Sequence, residues 1–243
     1  MLKKRYLIVG NGRLAKHLCH YFTLMKIEYT QWYKEQKRDL LQNAVSNSDI
    51  VLLAISDGSI ESFIDSEKKL LKGKTLIHFS GALVTEKATG CHPLMTFTEE
   101  LYDLELYTSI LFCLDEGSPD FNLLFPELPN PHIIIPGRLK PYYHSLCVLA
   151  NNFTCILWQK FYDEMIENFG AEPKNLDNFL KRTTSNIINN YKTCLTGPLA
   201  RDDKETIKKN IASLNLDPFK KVYQSFVDAY GEQVKNIFNK EDS

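Results

Sequence analysis

Gly10-Asn11-Gly12-Arg13-Leu14-Ala15 follows the short apolar run Tyr6–Val9 and leads into a stretch of helical periodicity. At such a strand-to-helix turn the first glycine allows a tight bend, the second lets the backbone approach a pyrophosphate, and a small third residue keeps the helix close to the sheet. The phosphates meet first-turn amides that have no partner inside the helix. The turn therefore predicts a dinucleotide site made by Gly10, Asn11, Gly12, Arg13 and Leu14. The far end of that cofactor is expected at the end of a second strand, Gln31-Trp32-Tyr33-Lys34-Glu35-Gln36-Lys37-Arg38. Glu35 is the only acid there. Lys34, Lys37 and Arg38 can meet a 2′-phosphate and Trp32 or Tyr33 an adenine, which favours NADP, with NAD possible. Ile55, Ser56 and Asp57, where a third strand ends, complete the expected cofactor contacts. Asp57 also suits the N-cap of the helix behind it.

A second set of residues can handle protons or hold a small polar molecule. Ser80 follows an apolar strand at its carboxyl end, where ligands of open α/β sheets collect. His78, inside that strand, reads as a core histidine. His92 precedes Pro93 and is held extended. Its ring can donate a hydrogen bond or a proton. His144, Val148, Asn152, Cys155 and Gln159 form a polar stripe on one helical face, with no lysine seen on it. Buried amides need partners, so Asn152 on this stripe suits a cleft wall. In Thr196-Gly197-Pro198-Leu199-Ala200-Arg201-Asp202-Asp203, Arg201 can grip a carboxylate with a bidentate fork. One of the two aspartates can cap the helix from 204. His144, His92 and Asn152 are thus the catalytic candidates, and Ser80, Thr196 and Arg201 the substrate-binding ones. No metal is expected.

These residues need a scaffold, and the hydrophobic pattern supplies one. Apolar runs at 6–9, 27–32, 49–55, 74–79, 107–113 and 132–135 read as strands, with helices between them at 13–25, 38–46 and 57–71. The run at 49–55 is continuous, as a strand covered on both faces should be. This is a doubly wound parallel α/β layout. After Pro136-Gly137 the period changes. Pro141 opens a long amphipathic helix to about Phe169, with Leu146, Leu149, Phe153, Ile156, Phe161 and Met165 on its apolar face. Further helices are expected at 174–192, 203–214 and 218–238. The predicted domains are 1–137 and 138–243. Net charge is −1 with 24% charged residues and no single-sign patch, which argues against nucleic acid or a membrane as partner. The apolar runs fall short of a membrane span, and the basic Met1-Leu2-Lys3-Lys4-Arg5 reads as the edge of a strand rather than a signal peptide. Six cysteines without a CxxC pair suit reduced thiols and a cytoplasmic protein.

Taken together, the glycine turn, Ser80-Gly81-Ala82, Gly90-Cys91-His92-Pro93-Leu94-Met95-Thr96-Phe97, His144 with Asn152, and Thr196–Asp202 resemble the Rossmann-like proteins that carry a DUF2520 C-terminal domain. The resemblance covers nearly the whole chain. Its architecture is similar to pyrroline-5-carboxylate reductase, F420-dependent NADP reductase and 3-hydroxyisobutyrate dehydrogenase. It implies a cofactor domain, a helical domain like the C-terminal one of 6-phosphogluconate dehydrogenase, a cleft between them and a homodimer. It also implies an oxidoreductase that moves a hydride between NADP(H) and a small carbonyl, imine or hydroxyacid. A non-catalytic nucleotide-binding sensor or scaffold is the alternative. Related hydroxyacid dehydrogenases carry a lysine one turn before the asparagine, where this chain has Val148. After TGPxA the group tends to read Arg-Gly-Asp, where this chain has Arg201-Asp202-Asp203.

Overall fold

Tyr6–Val9 (β1) and Ile50–Leu53 (β3) are buried at every residue, and they lie side by side in a seven-stranded sheet, second and third from one edge. The computed structural model describes residues 3–241, with side chains described to residue 231; Met1 and Leu2 of the basic N-terminus lie outside the described residues. The strand order is β2-β1-β3-β4-β5-β6-β7, with β2 at Tyr29–Trp32, β4 at Thr75–His78, β5 at Thr89–Pro93, β6 at Phe112–Asp115 and β7 at His132–Ile135. The first five strands run parallel. β6 pairs antiparallel with β5, and β7 parallel with β6, so the expected all-parallel sheet is corrected to a mixed one.

Alternation along β1 and β3 divides the core in two. Tyr6, Ile8, Ile50 and Leu52 face one layer, with α1 (Arg13–Leu24) and the aromatic cluster of Tyr107, Phe112, Phe121 and Phe125. Leu7, Val9, Val51 and Leu53 face the other, with α2 (Arg38–Ser46) and α3 (Asp57–Ser66). This places helices on both faces of the sheet, which is why these strands read as unbroken apolar runs.

The expected strand at 107–113 is also corrected. Residues Leu104–Ser109 form a short helix, α4, whose cap Asp103 accepts the Leu106 amide at 2.8 Å, and the strand starts only at Phe112. The segment before it is tied to α1 by His17. That ring is 1% exposed, with Nδ1 2.8 Å from the Tyr107 hydroxyl and Nε2 3.0 Å from the Thr98 carbonyl. Residues 95–97 are thereby held beside the glycine turn. The short helix α5 (Phe121–Leu124) precedes β7.

From Lys140 the chain is helical: α6 (Lys140–Cys147), a π-helical stretch at Val148–Phe153, α7 (Thr154–Glu167), α8 (Pro173–Asn189), α9 (Lys204–Ser213) and α10 (Phe219–Glu241). Pro141 sits in the first turn of α6. Asp203 caps α9, accepting the Thr206 amide at 3.0 Å. The chain divides into two compact units, Met1–Gln159 and Lys160–Ser243. The first 20 residues of the helical run therefore belong to the sheet unit, beyond the expected domain limit at 137. In the second unit, Lys160 pairs with Asp217 at 2.6 Å, and Phe161 packs on Phe179 with ring centroids 5.6 Å apart. Among the described residues none of the helices is long and apolar enough to cross a membrane.

Candidate functional site

The glycine turn is built by close approach. Gly10 has φ of 132°, and a Cβ there would lie 2.2 Å from the Ala54 carbonyl oxygen of the neighbouring strand. Its amide donates to the Trp32 carbonyl at 2.8 Å and its carbonyl accepts Gln31 Nε2 at 2.9 Å, which fixes the turn against the second strand. Gly12 differs. It is the N-cap of α1, no side chain caps that helix end, and a Cβ on it would meet nothing within 4 Å. The first-turn amides therefore face open space, an arrangement suited to an anion.

That space is a cleft of about 1300 Å³. Its walls include all five predicted turn residues, Gly10 to Leu14, with Trp32, Lys34, Ile55 and Ser56. Asp57 is not on the wall. It does not cap α3 either, because Ser56 holds the cap position without a side-chain bond. The Asp57 carboxylate instead accepts the Ser80 hydroxyl. At the strand-two end Arg38 is diverted by an ion pair to the buried Glu67 at 2.8 Å. Lys34 stays exposed, its only ion pair among the described residues a loose one of 3.8 Å to Glu35. Arg13 is exposed on the wall and has no ion-pair partner among the described residues.

At its other end the cleft is closed by Met95, Thr96 and Phe97 and by both Asn151 and Asn152. Only Asn152 was expected. Both asparagines lie in the π-helical stretch, whose wider i→i+5 turn is a recurrent feature of functional sites.

The histidines form a separate cluster beside this cleft rather than on its walls. His92 Nε2 and His144 Nδ1 flank Gly81, standing 3.1 and 2.6 Å from where a Cβ would project. His92 Nδ1 is 2.7 Å from the Tyr143 hydroxyl. His144 Nδ1 is buried without a hydrogen-bond partner in the described structure. Burial, together with neighbouring His144 and Lys140, pushes the His92 pKa down to about 4. Ser80 holds the turn beneath them: its hydroxyl donates to Asp57 and accepts the Ala82 and Leu83 amides at 3.2 and 2.9 Å.

Two charged residues were missed by sequence reasoning. Lys140 is buried and pairs with Asp115 at 2.5 Å, while Asp115 also accepts the Gly90 amide at 3.1 Å. His78, as expected, is fully buried; its Nδ1 accepts the Ser80 amide at 3.2 Å and its Nε2 lies 3.9 Å from Asp115. Burial and then Lys140 lower its pKa to about 4. Lys140 stands one turn before His144, ahead of the polar stripe, and is held in a structural ion pair. The spacing was the available signal. Thr196 and Arg201 lie in the second unit, both exposed, in a turn where Gly197 has φ of 85° and Asp202 φ of 51°.

Residues 115–230 match the model of a family described as a domain of unknown function, DUF2520. No curated protein matches the chain. Solved structures with a similar fold include BF3122 from Bacteroides fragilis, a candidate NADP oxidoreductase, at TM-score 0.73 and 17% identity over 95% of this chain and 98% of that one. Protein TM1727 from Thermotoga maritima gives 0.68 and 21% over 95% and 98%. Pyrroline carboxylate reductase from Plasmodium falciparum, with NADP bound, gives 0.60 and 15% over 97% and 98%. The chain thus has a Rossmann-like sheet followed by a helical region, and the match to the DUF2520 model runs from the end of β6 into the last helix.

Proposed function

We propose that the chain is an oxidoreductase that binds a nicotinamide dinucleotide in the 1300 Å³ cleft and moves a hydride to or from a small polar carbonyl, imine or hydroxyacid. The carrying observation is the uncapped N-terminus of α1, whose amides open on that cleft at a residue where a side chain is sterically possible but absent. Gly10 to Leu14 would hold the pyrophosphate, with Arg13 adding charge. Trp32 and Lys34 would meet the adenosine end, and Ile55 and Ser56 the middle. NADP is favoured by Lys34, although the pairing of Arg38 with Glu67 weakens that preference. When bound, the dinucleotide supplies the hydride chemistry.

The protein's share is position and hydrogen bonding. Asn151 and Asn152 orient the substrate at the closed end of the cleft. His92 and His144 supply donors at Gly81, and Ser80 with Asp57 keeps that turn in shape. Thr196 is proposed to give a hydrogen bond to substrate and Arg201 to hold a carboxylate. A homodimer through the helices has its own support. Tyr142, Leu146, Leu149, Phe153 and Ile156 recur at three- and four-residue spacing and are all exposed, and after Lys140 the only buried described residue is Leu176. An apolar stripe of this kind needs a cover.

Titration of the protein with NADPH and NADH, followed by turnover assays over small ketones, imines and hydroxyacids, tests the reading. Micromolar binding with a preference for NADPH is expected. Indifference to both nucleotides at millimolar concentration would end it.

A further inference from the structure

The cleft has two ends with the glycine turn between them, and the end away from Trp32 and Lys34 is walled by Met95, Thr96 and Phe97. Those three residues belong to no helix or strand. Backbone outside regular structure has no ladder to hold it, so its place is set by what it is tied to. Here the ties converge on one buried residue of α1. His17 has Nε2 3.0 Å from the Thr98 carbonyl and Nδ1 2.8 Å from the Tyr107 hydroxyl. A carbonyl can only accept, so Nε2 carries a hydrogen. In the neutral ring Nδ1 is then the acceptor and takes the Tyr107 hydrogen. The same hydroxyl accepts the Tyr102 amide at 3.3 Å, so donors and acceptors match across the three groups. The rings of Phe97 and Tyr102 pack on the imidazole with centroids 4.9 and 4.6 Å away, and the Tyr102 hydroxyl donates to the Thr96 carbonyl. One histidine thus touches Phe97 and Thr98 directly and reaches Thr96 through Tyr102. The ion pair of Lys16 with Glu99, at 3.1 Å, also joins α1 to this segment, but it is exposed and contributes little.

His17 follows Gly12 along α1 by a rise of about 7.5 Å. The helix that turns its first amides toward the cleft therefore also sets how far away the wall stands. We infer that His17 is a positioning residue for the nicotinamide ring of the dinucleotide: by holding Thr98 and Tyr107 it keeps the 95–97 wall at a fixed distance from the phosphate turn. This rests on the oxidoreductase reading, in which the adenosine lies at the Trp32 and Lys34 end. With the pyrophosphate on the turn, the length of cleft left for the ring is the one that this wall closes, beside Asn151 and Asn152.

Two ligands separate a wall that meets the ring from one that merely supports the fold. NADPH carries the ring, and 2′-phospho-ADP-ribose is the same molecule without it. Both are titrated calorimetrically into the full chain, and wild type should hold NADPH more tightly. His17→Phe keeps an aromatic ring in the packing but gives up both hydrogen bonds. It should weaken NADPH about 10-fold while the fragment stays within about 2-fold of wild type. His17→Gln should restore NADPH binding, because a glutamine amide offers a donor for the Thr98 carbonyl and an acceptor for the Tyr107 hydroxyl. If His17→Phe does not fold, Tyr102→Phe decides. It deletes the exposed hydrogen bond to the Thr96 carbonyl and should shift the ratio of the two affinities in the same direction. Equal losses for both ligands, or an NADPH affinity that does not change in the variant that folds, overturn the inference and leave the dinucleotide cleft standing. A wild type that holds the fragment as tightly as NADPH overturns it too. A wild type that binds neither ligand removes the oxidoreductase reading and this inference with it.

Discussion

Gly10 and Gly12 are two residues apart, yet they should fail in opposite ways. A Cβ at residue 10 would sit 2.2 Å from backbone oxygen of Ala54, on a φ of 132° that side chains rarely adopt. Strain at such a φ costs about 1–3 kcal/mol, and overpacking against backbone adds a similar amount. Gly10→Ala should therefore lose roughly 3 kcal/mol, lowering Tm by about 6–12 °C for a chain of this size. At residue 12 a Cβ meets no protein atom, and the helix cap loses no side-chain bond. Gly12→Ala should cost less than about 1 kcal/mol. Its methyl group would instead stand between the first-turn amides and a pyrophosphate. Dinucleotide affinity should fall at least ~10-fold, equivalent to about 1.4 kcal/mol, and further in Gly12→Val. Thermal melts and NADPH titration by fluorescence read the two quantities on the same preparations. A stable Gly12→Val that binds NADPH as tightly as wild type would refute the placement of phosphates on this turn.

Three further outcomes are expected. Lys140→Met leaves Asp115 as an uncompensated, partly buried carboxylate and should lose about 3 kcal/mol in urea unfolding, most of it restored in Lys140→Met with Asp115→Leu; a single-mutant loss near zero would contradict the ion pair. His78 titrates near 6.5 when unfolded and near 4 when folded, so the unfolded chain binds an extra proton between those values. Stability should then fall by roughly 3 kcal/mol as pH drops from 6.5 to 4, with His92 adding to the same trend, and His78→Asn should flatten the curve. Sedimentation should give a dimer that Leu149→Glu with Phe153→Glu dissociates; a wild-type monomer would leave the apolar stripe without the proposed cover.

The parts of this fold that rest on repeating patterns were legible. β1, the glycine turn, α1 and the continuous strand at 50–53 were read correctly because each element buries a regular set of side chains, and regularity survives in one dimension. The region from 89 to 115 was not. β5 contains Gly90 and Pro93 and pairs with β4 over only two residues, so it carries no strand signature. Leu104–Ser109 is too short for helical periodicity to outweigh its apolar content, and the Asp103 cap was the overlooked clue. Lys140 and Asp115 each look like solvated surface residues, and their burial is decided only when α6 crosses the carboxyl end of β6. The contact between Tyr143 and His92 is hidden for the same reason, since the two are 51 residues apart. Nothing in the residues Val148–Phe153 announces a π turn.

That π turn sets a phase relation. The wider turn takes up one residue more than regular helix would, so everything after Phe153 is rotated relative to α6 by about one residue's arc. Removing a single residue between Val148 and Phe153 would let an unbroken helix form, and it would be a more regular one. It would also swing one asparagine off the cleft while leaving α7 in its present phase with α6. A one-residue deletion in this otherwise undemanding stretch of helix should accordingly spare the fold and cost the cleft one of its two amides.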